Sequence, residues 1–103
     1  MTVIRSDKLE VFWMEHPEAE RALLAWLRVV QNASWKKPTD ALQSFGSADV
    51  AVPVGSGKRV VVFDIRGNKY RLVAAVDYRA GHLNVLKVMT HAEYSRNRRK
   101  RSL

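Results

Sequence analysis

With 103 residues and 47% hydrophobic side chains, the chain can build one modest core but not two domains, and its composition excludes a disordered protein. The absence of cysteine excludes a disulfide framework, a thiolate metal site and a cysteine nucleophile. The formal charge of +8 is unevenly placed, with 6 Lys/Arg against 7 Asp/Glu in residues 1–57 and 12 against 3 in residues 58–103; the second half therefore points to a polyanion, most directly nucleic acid.

No stretch reaches the roughly 18 apolar residues of a membrane span, and the opening MTVIRSDKLE lacks the apolar centre of a signal peptide. A cytoplasmic protein without membrane contact is expected. Thr2–Ile4 is β-branched and suits an edge strand. Asp7 followed by Glu10 suits a helix start, with Leu9, Phe12 and Trp13 on one helical face. His16-Pro17 interrupts that helix, and Pro17 is placed to open a second one, with Glu18 and Glu20 near its positive end. Ala19, Ala22, Leu23, Trp26, Leu27 and Val30 then follow the spacing of a buried stripe, so the first two helices read as a helical hairpin. Pro38 opens a short third helix with Leu42 and Phe45 inward and Gly46 as its stop. The connector 47–58 has room for an irregular strand at 50–54. Its Val54-Gly-Ser-Gly-Lys58 is a turn, since it lacks phosphate-loop spacing and leads into a strand.

Residues 60–94 carry the strongest pattern. Val60–Ile65 is a β-branched and aromatic strand, Gly67-Asn68 suits a tight hairpin because both tolerate positive φ, and 69–78 alternates. That alternation sets Tyr70, Leu72, Val76 and Tyr78 against Lys69, Arg71 and Asp77. Arg79-Ala80-Gly81 turns the chain into Leu83–Met89, and Thr90 three residues before Glu93 forms a capping box for a last helix. The expected fold is α+β. A small antiparallel sheet, made of a three-strand meander plus the N-terminal edge strand, is packed on one face by the helices and closed by a short C-terminal helix. A domain at 1–95 is followed by a basic tail at 96–103, either a frayed helix or disorder. Without the five positive residues of that tail, 58–95 still carries +4.

His16, His82 and His91 have no ligand spacing to each other or to carboxylate pairs, so neither a metal nor another cofactor is expected. What remains around the meander is Lys69, Arg71, Lys87, His91 and Tyr94. RNA cleavage by its own 2′-hydroxyl needs a base, an acid and fixed positive charge, and neither a metal nor a protein nucleophile. These residue types can supply that chemistry. They equally suit solvated charge (Arg71), a helix cap (His91) and core packing (Tyr94).

Phe63-Asp-Ile-x-Gly67-Asn68-Lys69-Tyr70-Arg71-Leu72-Val73, followed by Val88-x-Thr90-His91-Ala92-Glu93-Tyr94, resembles HigB-type toxins of type II toxin–antitoxin modules. The Phe-Trp helix, the His-Pro corner and Trp35-Lys36-x-Pro38 agree with it, so the resemblance spans about residues 2–95. It implies a RelE-like fold and a metal-independent endoribonuclease that cleaves mRNA on the translating ribosome. It also implies neutralisation by a cognate helix-turn-helix antitoxin of the HigA type, with operator DNA bound only through the complex. On this basis Arg71, His91 and Tyr94 are the catalytic candidates, and Lys69, Lys87, Arg66, Arg98, Arg99 and Lys100 the RNA-binding ones. The third strand departs from the family pattern. Asn84-Val85-Leu86 stands where Tyr-Ile-Arg is usual, and Lys87, one residue along, is expected on the opposite face. The alternative reading is a non-catalytic RNA- or ribosome-binding module on the same fold.

Overall fold

The computed structural model describes residues 1–53 and 59–99. The chain runs β1 (Thr2–Ile4), α1 (Asp7–Glu15), a 3-10 turn (Pro17–Ala19), α2 (Glu20–Gln31), α3 (Pro38–Ser44), β2 (Asp49–Pro53), β3 (Arg59–Ile65), β4 (Tyr70–Asp77), β5 (His82–Thr90) and α4 (His91–Arg99). The strands form one sheet in the order β1-β5-β4-β3-β2. The α+β class is as expected, but the sheet is larger and mixed. β2 pairs antiparallel with β3, and β1 lies parallel to β5. The helices also lie on both faces rather than one.

The alternation of β4 explains the two layers. Tyr70, Leu72 and Ala74 point into the main core with Phe63, Leu83 and Val85, where they meet Leu9 of α1 and Leu23, Trp26 and Val30 of α2. Phe63 is fully buried and sits among Trp26, Trp35 and Phe45 at ring separations of 5.4, 6.1 and 5.2 Å. The opposite face gathers Val52, Val60, Val62, Val73 and Met89, with Tyr94 of α4 and Leu86 packed on them. A sheet buried on both faces reads as near-continuous apolar runs, as in VVVF and RLVAAV.

α1 begins at Asp7 as expected, with Glu10 also in its first turn, and the Asp7 carboxylate is held by the Arg5 guanidinium at 3.0 and 3.1 Å. Two local expectations are corrected. Pro17 opens the 3-10 turn, and α2 begins only at Glu20. α3 ends because Phe45 turns extended, not through a left-handed glycine. The Val54–Lys58 turn, including the end of the strand expected at 50–54, lies outside the described residues. So do Lys100–Leu103, while α4 carries the helix on to Arg99.

Candidate active site

The hairpin between β3 and β4 is the first half of the site. Ile65 pairs with Tyr70, and the left-handed residues of the connection are Arg66 and Gly67, at φ 54° and 65°. Gly67 and Asn68 are central in the turn closed by the Lys69 N–H on the Arg66 carbonyl at 3.4 Å, as expected, but the positive φ falls on Arg66 and Gly67 rather than on Gly67 and Asn68. Arg66 adopts a conformation that costs a non-glycine residue roughly 1–2 kcal/mol. Asn68 stays within the turn without positive φ, and its Oδ1 accepts a hydrogen bond from the Arg71 guanidinium.

Arg71 is not a solvated charge. It is only 9% exposed, because Asp64 lies directly opposite it on β3 and takes its Nε at 3.1 Å. One terminal nitrogen donates to the Tyr70 carbonyl at 3.2 Å, and the Tyr94 ring covers the guanidinium at 5.9 Å. Three of its five N–H groups are thus engaged. Sequence reasoning missed Asp64, although a signal existed. In an antiparallel hairpin closed by Ile65 and Tyr70, the next cross-strand pair is Asp64 and Arg71, opposite charges on one face.

The second half is the start of α4. Thr90 N–H donates to the Glu93 carboxylate at 3.1 Å and Glu93 N–H to the Thr90 hydroxyl at 3.2 Å, which is the expected capping box. Tyr70 pairs with Thr90, and His91 N–H donates to the Lys69 carbonyl at 3.1 Å. The two motif stretches are therefore joined at one end of the sheet. His91, Lys69 and Arg66 are exposed, while Tyr94 packs inward over Arg71.

Lys87 is placed differently from expectation. The β4–β5 register steps between Val73 and Ala74, which pair with Lys87 and Val85 and leave Leu86 as the extra residue. Beyond that bulge the parity of the strand is reversed. Lys87 consequently shares the face of Val73 and of the Arg71–Met89 pair, and is exposed there. Arg98 and Arg99 are on the last turn of α4, and Lys100 lies outside the described residues. His16 and His82 are not brought to this cluster. Among the described residues, no group of three His, Cys, Asp or Glu converges.

Behind the hairpin, the Tyr70 hydroxyl donates to Glu18 of the His-Pro corner, beside the stacked Phe12 and His16 rings at 4.5 Å. This bond locks the corner of α1 and α2 to the motif strand. Hydrogen bonding from Tyr70 holds the Glu18 carboxyl below its usual range, and hydrogen bonding to Glu18 with burial pushes the Tyr70 phenol up. The contact therefore adds stability above the ordinary carboxylate range, lost as pH falls through the lowered Glu18 value. It is lost again as pH rises above the ordinary phenol value of about 10 towards the raised one. In urea titrations, Tyr70→Phe is expected to be less stable than wild type near neutrality and to converge with it at both extremes. A constant difference across pH would show that the ring, and not the bond, carries the effect.

A mixed sheet with a helical pair on one face, a short basic helix on the other, and a cation-rich hairpin where that helix begins is the layout of a small RelE-like toxin. The family model HigB_toxin, described as the RelE-like toxic component of a toxin–antitoxin system, matches residues 19–97, and the chain belongs to that family. The match takes in both motif stretches and implies an antitoxin partner. Comparison with curated proteins finds no match. No helix among the described residues is long and apolar enough to cross a membrane.

Proposed function

We propose that this toxin is a ribosome-dependent endoribonuclease that cleaves translated mRNA in the cytoplasm without a metal. The observation that carries this reading is the junction of the two motif stretches. It sets exposed His91 and Lys69 side by side through their backbones, next to Arg71 under Tyr94. In the reaction, a base removes the 2′-hydroxyl proton, the 2′-oxygen attacks phosphorus, the bond to the 5′-oxygen breaks, and an acid protonates that oxygen. The products are a 2′,3′-cyclic phosphate and a 5′-hydroxyl. His91 and Tyr94 supply the proton transfers, and Arg71 the fixed charge that stabilises the phosphorane. Lys69, Lys87 and Arg66 hold the RNA backbone, with Arg98, Arg99 and Lys100 of the basic tail extending the contact beyond the 1–95 domain. A helix-turn-helix antitoxin neutralises the protein, and operator DNA is bound only through that complex.

The rival reading, a non-catalytic RNA- or ribosome-binding module, is favoured by two features: Arg71 spends three N–H groups inside the protein, and Leu86 stands where the resemblance places an arginine. Purified ribosomes programmed with a defined mRNA separate the two, with cuts located by primer extension and free RNA as control. Cuts that need the ribosome, fall at least about a hundredfold in His91→Ala and weaken in Lys69→Ala are expected. Ribosome binding without any cut would leave the binding module.

A further inference from the structure

A second cationic surface lies at the opposite end of the sheet from His91. There the loop 32–37 meets the turn between β4 and β5, and a cleft of about 340 Å³ opens between them. That volume falls within the range of ligand sites. Lys36 and Arg79 line the cleft, and both are exposed. Thr2, Gln31 and Ser34 add polar side chains, and among the described residues no Asp or Glu stands on its wall. Both supporting segments are braced. Asp40 accepts the Lys36 N–H at 2.8 Å and Asp77 the Ala80 N–H at 2.9 Å, so each neighbouring carboxylate holds a backbone group. The Gly81 carbonyl takes the Thr2 N–H at 2.8 Å, which ties β1 to the turn.

Charge and polarity decide what fits there. Two cations in a cleft without a carboxylate on its wall select an anion. Hydroxyl and amide groups around them are what a nucleic-acid interface presents, whereas the centre of a protein–protein interface is apolar and aromatic. Neither cation belongs to the catalytic or RNA-binding set at the hairpin. β4 runs its 8 residues between the two ends of the sheet, about 25 Å at roughly 3.4 Å per residue. That separation is too long for the nucleotide at His91 to fill both places. We propose that the cleft binds a phosphodiester of ribosomal RNA through Lys36 and Arg79, anchoring the protein on the ribosome while mRNA lies at the other end. The proposal rests on the ribosome-dependent reading above and gives a physical reason for it. Two sites held in one rigid frame bind together far more tightly than either alone, and free mRNA fills only one of them.

The test is cosedimentation of the purified protein with ribosomes at several salt concentrations, beside titration with a short unstructured RNA. Lys36→Ala/Arg79→Ala is expected to weaken ribosome binding at least about tenfold, and to lower the slope of log affinity against log salt by about 2. Its affinity for the short RNA is expected to change less than about twofold. Its melting temperature is expected to stay at the wild-type value, since both side chains are exposed. Lys36→Arg/Arg79→Lys keeps the charges and is expected to bind ribosomes within about threefold of wild type. Unchanged ribosome affinity in the alanine variant overturns the anchor alone. An equal loss on the short RNA also overturns it and assigns the cleft to the messenger. So does a loss confined to calorimetric titration with the protein encoded by the adjacent gene, which assigns the cleft to an acidic antitoxin segment. Wild type that fails to bind ribosomes overturns the ribosome reading and the anchor together. Ribosome binding without cuts, with the loss in the alanine variant intact, removes only the cleavage step and supports the anchor.

Discussion

Arg71→Ala is expected to lose at least about a hundredfold in mRNA cleavage, about 2.7 kcal/mol of barrier, and about 2–3 kcal/mol of stability as well. The two losses share one cause. Removing the guanidinium leaves the Asp64 carboxylate, 28% exposed at its side chain, without its ion pair, and leaves Asn68 Oδ1 without its donor. The stability figure is set below that of a fully buried pair because Asp64 still reaches water. Arg71→Lys keeps the charge but not the planar fork that serves Asp64, Asn68 and the Tyr70 carbonyl at once. It is expected to regain part of the stability and little of the cleavage. In a double-mutant cycle, Asp64→Ala/Arg71→Ala is expected to cost clearly less than the sum of the two single changes. Cleavage per folded molecule, measured on the ribosome beside urea melts, separates the roles. Lost stability with unchanged cleavage would reduce Arg71 to a brace for the hairpin.

Phe63→Ala is expected to be the most damaging single change to the fold. The ring is fully buried among Trp26, Trp35 and Phe45, so truncation removes its transfer energy and leaves a void that three rigid aromatic groups cannot close. Such changes cost about 3–5 kcal/mol, a large share of the roughly 5–15 kcal/mol that holds a domain together. At about 4–8 °C per kcal/mol for this size, the melting temperature is expected to fall by more than about 12 °C. Phe45→Ala, at a half-buried position, is the internal comparison and is expected to cost less. A fall below about 5 °C for Phe63→Ala would mean that the core refills, and that the aromatic cluster is not the keystone of the sheet–helix contact.

Much of the molecule was legible because its local signals agree. The period-2 pattern around Arg71 and Leu72 separated the two faces of β4, the stripe from Ala19 to Val30 found the buried side of α2, and Thr90 with Glu93 fixed the start of α4. Local chemistry suffices in such cases, because each residue contacts neighbours only a few positions away. The hairpin was legible only in part. Gly67-Asn68 does form the centre of the turn, but Asn68 serves as the acceptor for Arg71, and Arg66 takes the second left-handed position.

Alone, the sequence determined the basic second half, the α+β class, the strands and helices that carry the two motifs, and the resemblance to the toxin family. Composition, periodicity and capping are short-range properties, and each is written in adjacent residues. Only the tertiary structure decided that β1 runs parallel to β5, that α4 covers the second face, and that Arg71 is buried against Asp64 and Tyr94. It also decided that Lys87 joins the Arg71 face, because one extra residue at Leu86 reverses the parity of β5. These features depend on register and on which surfaces remain uncovered. A register is a relation between distant segments, settled when the whole core closes.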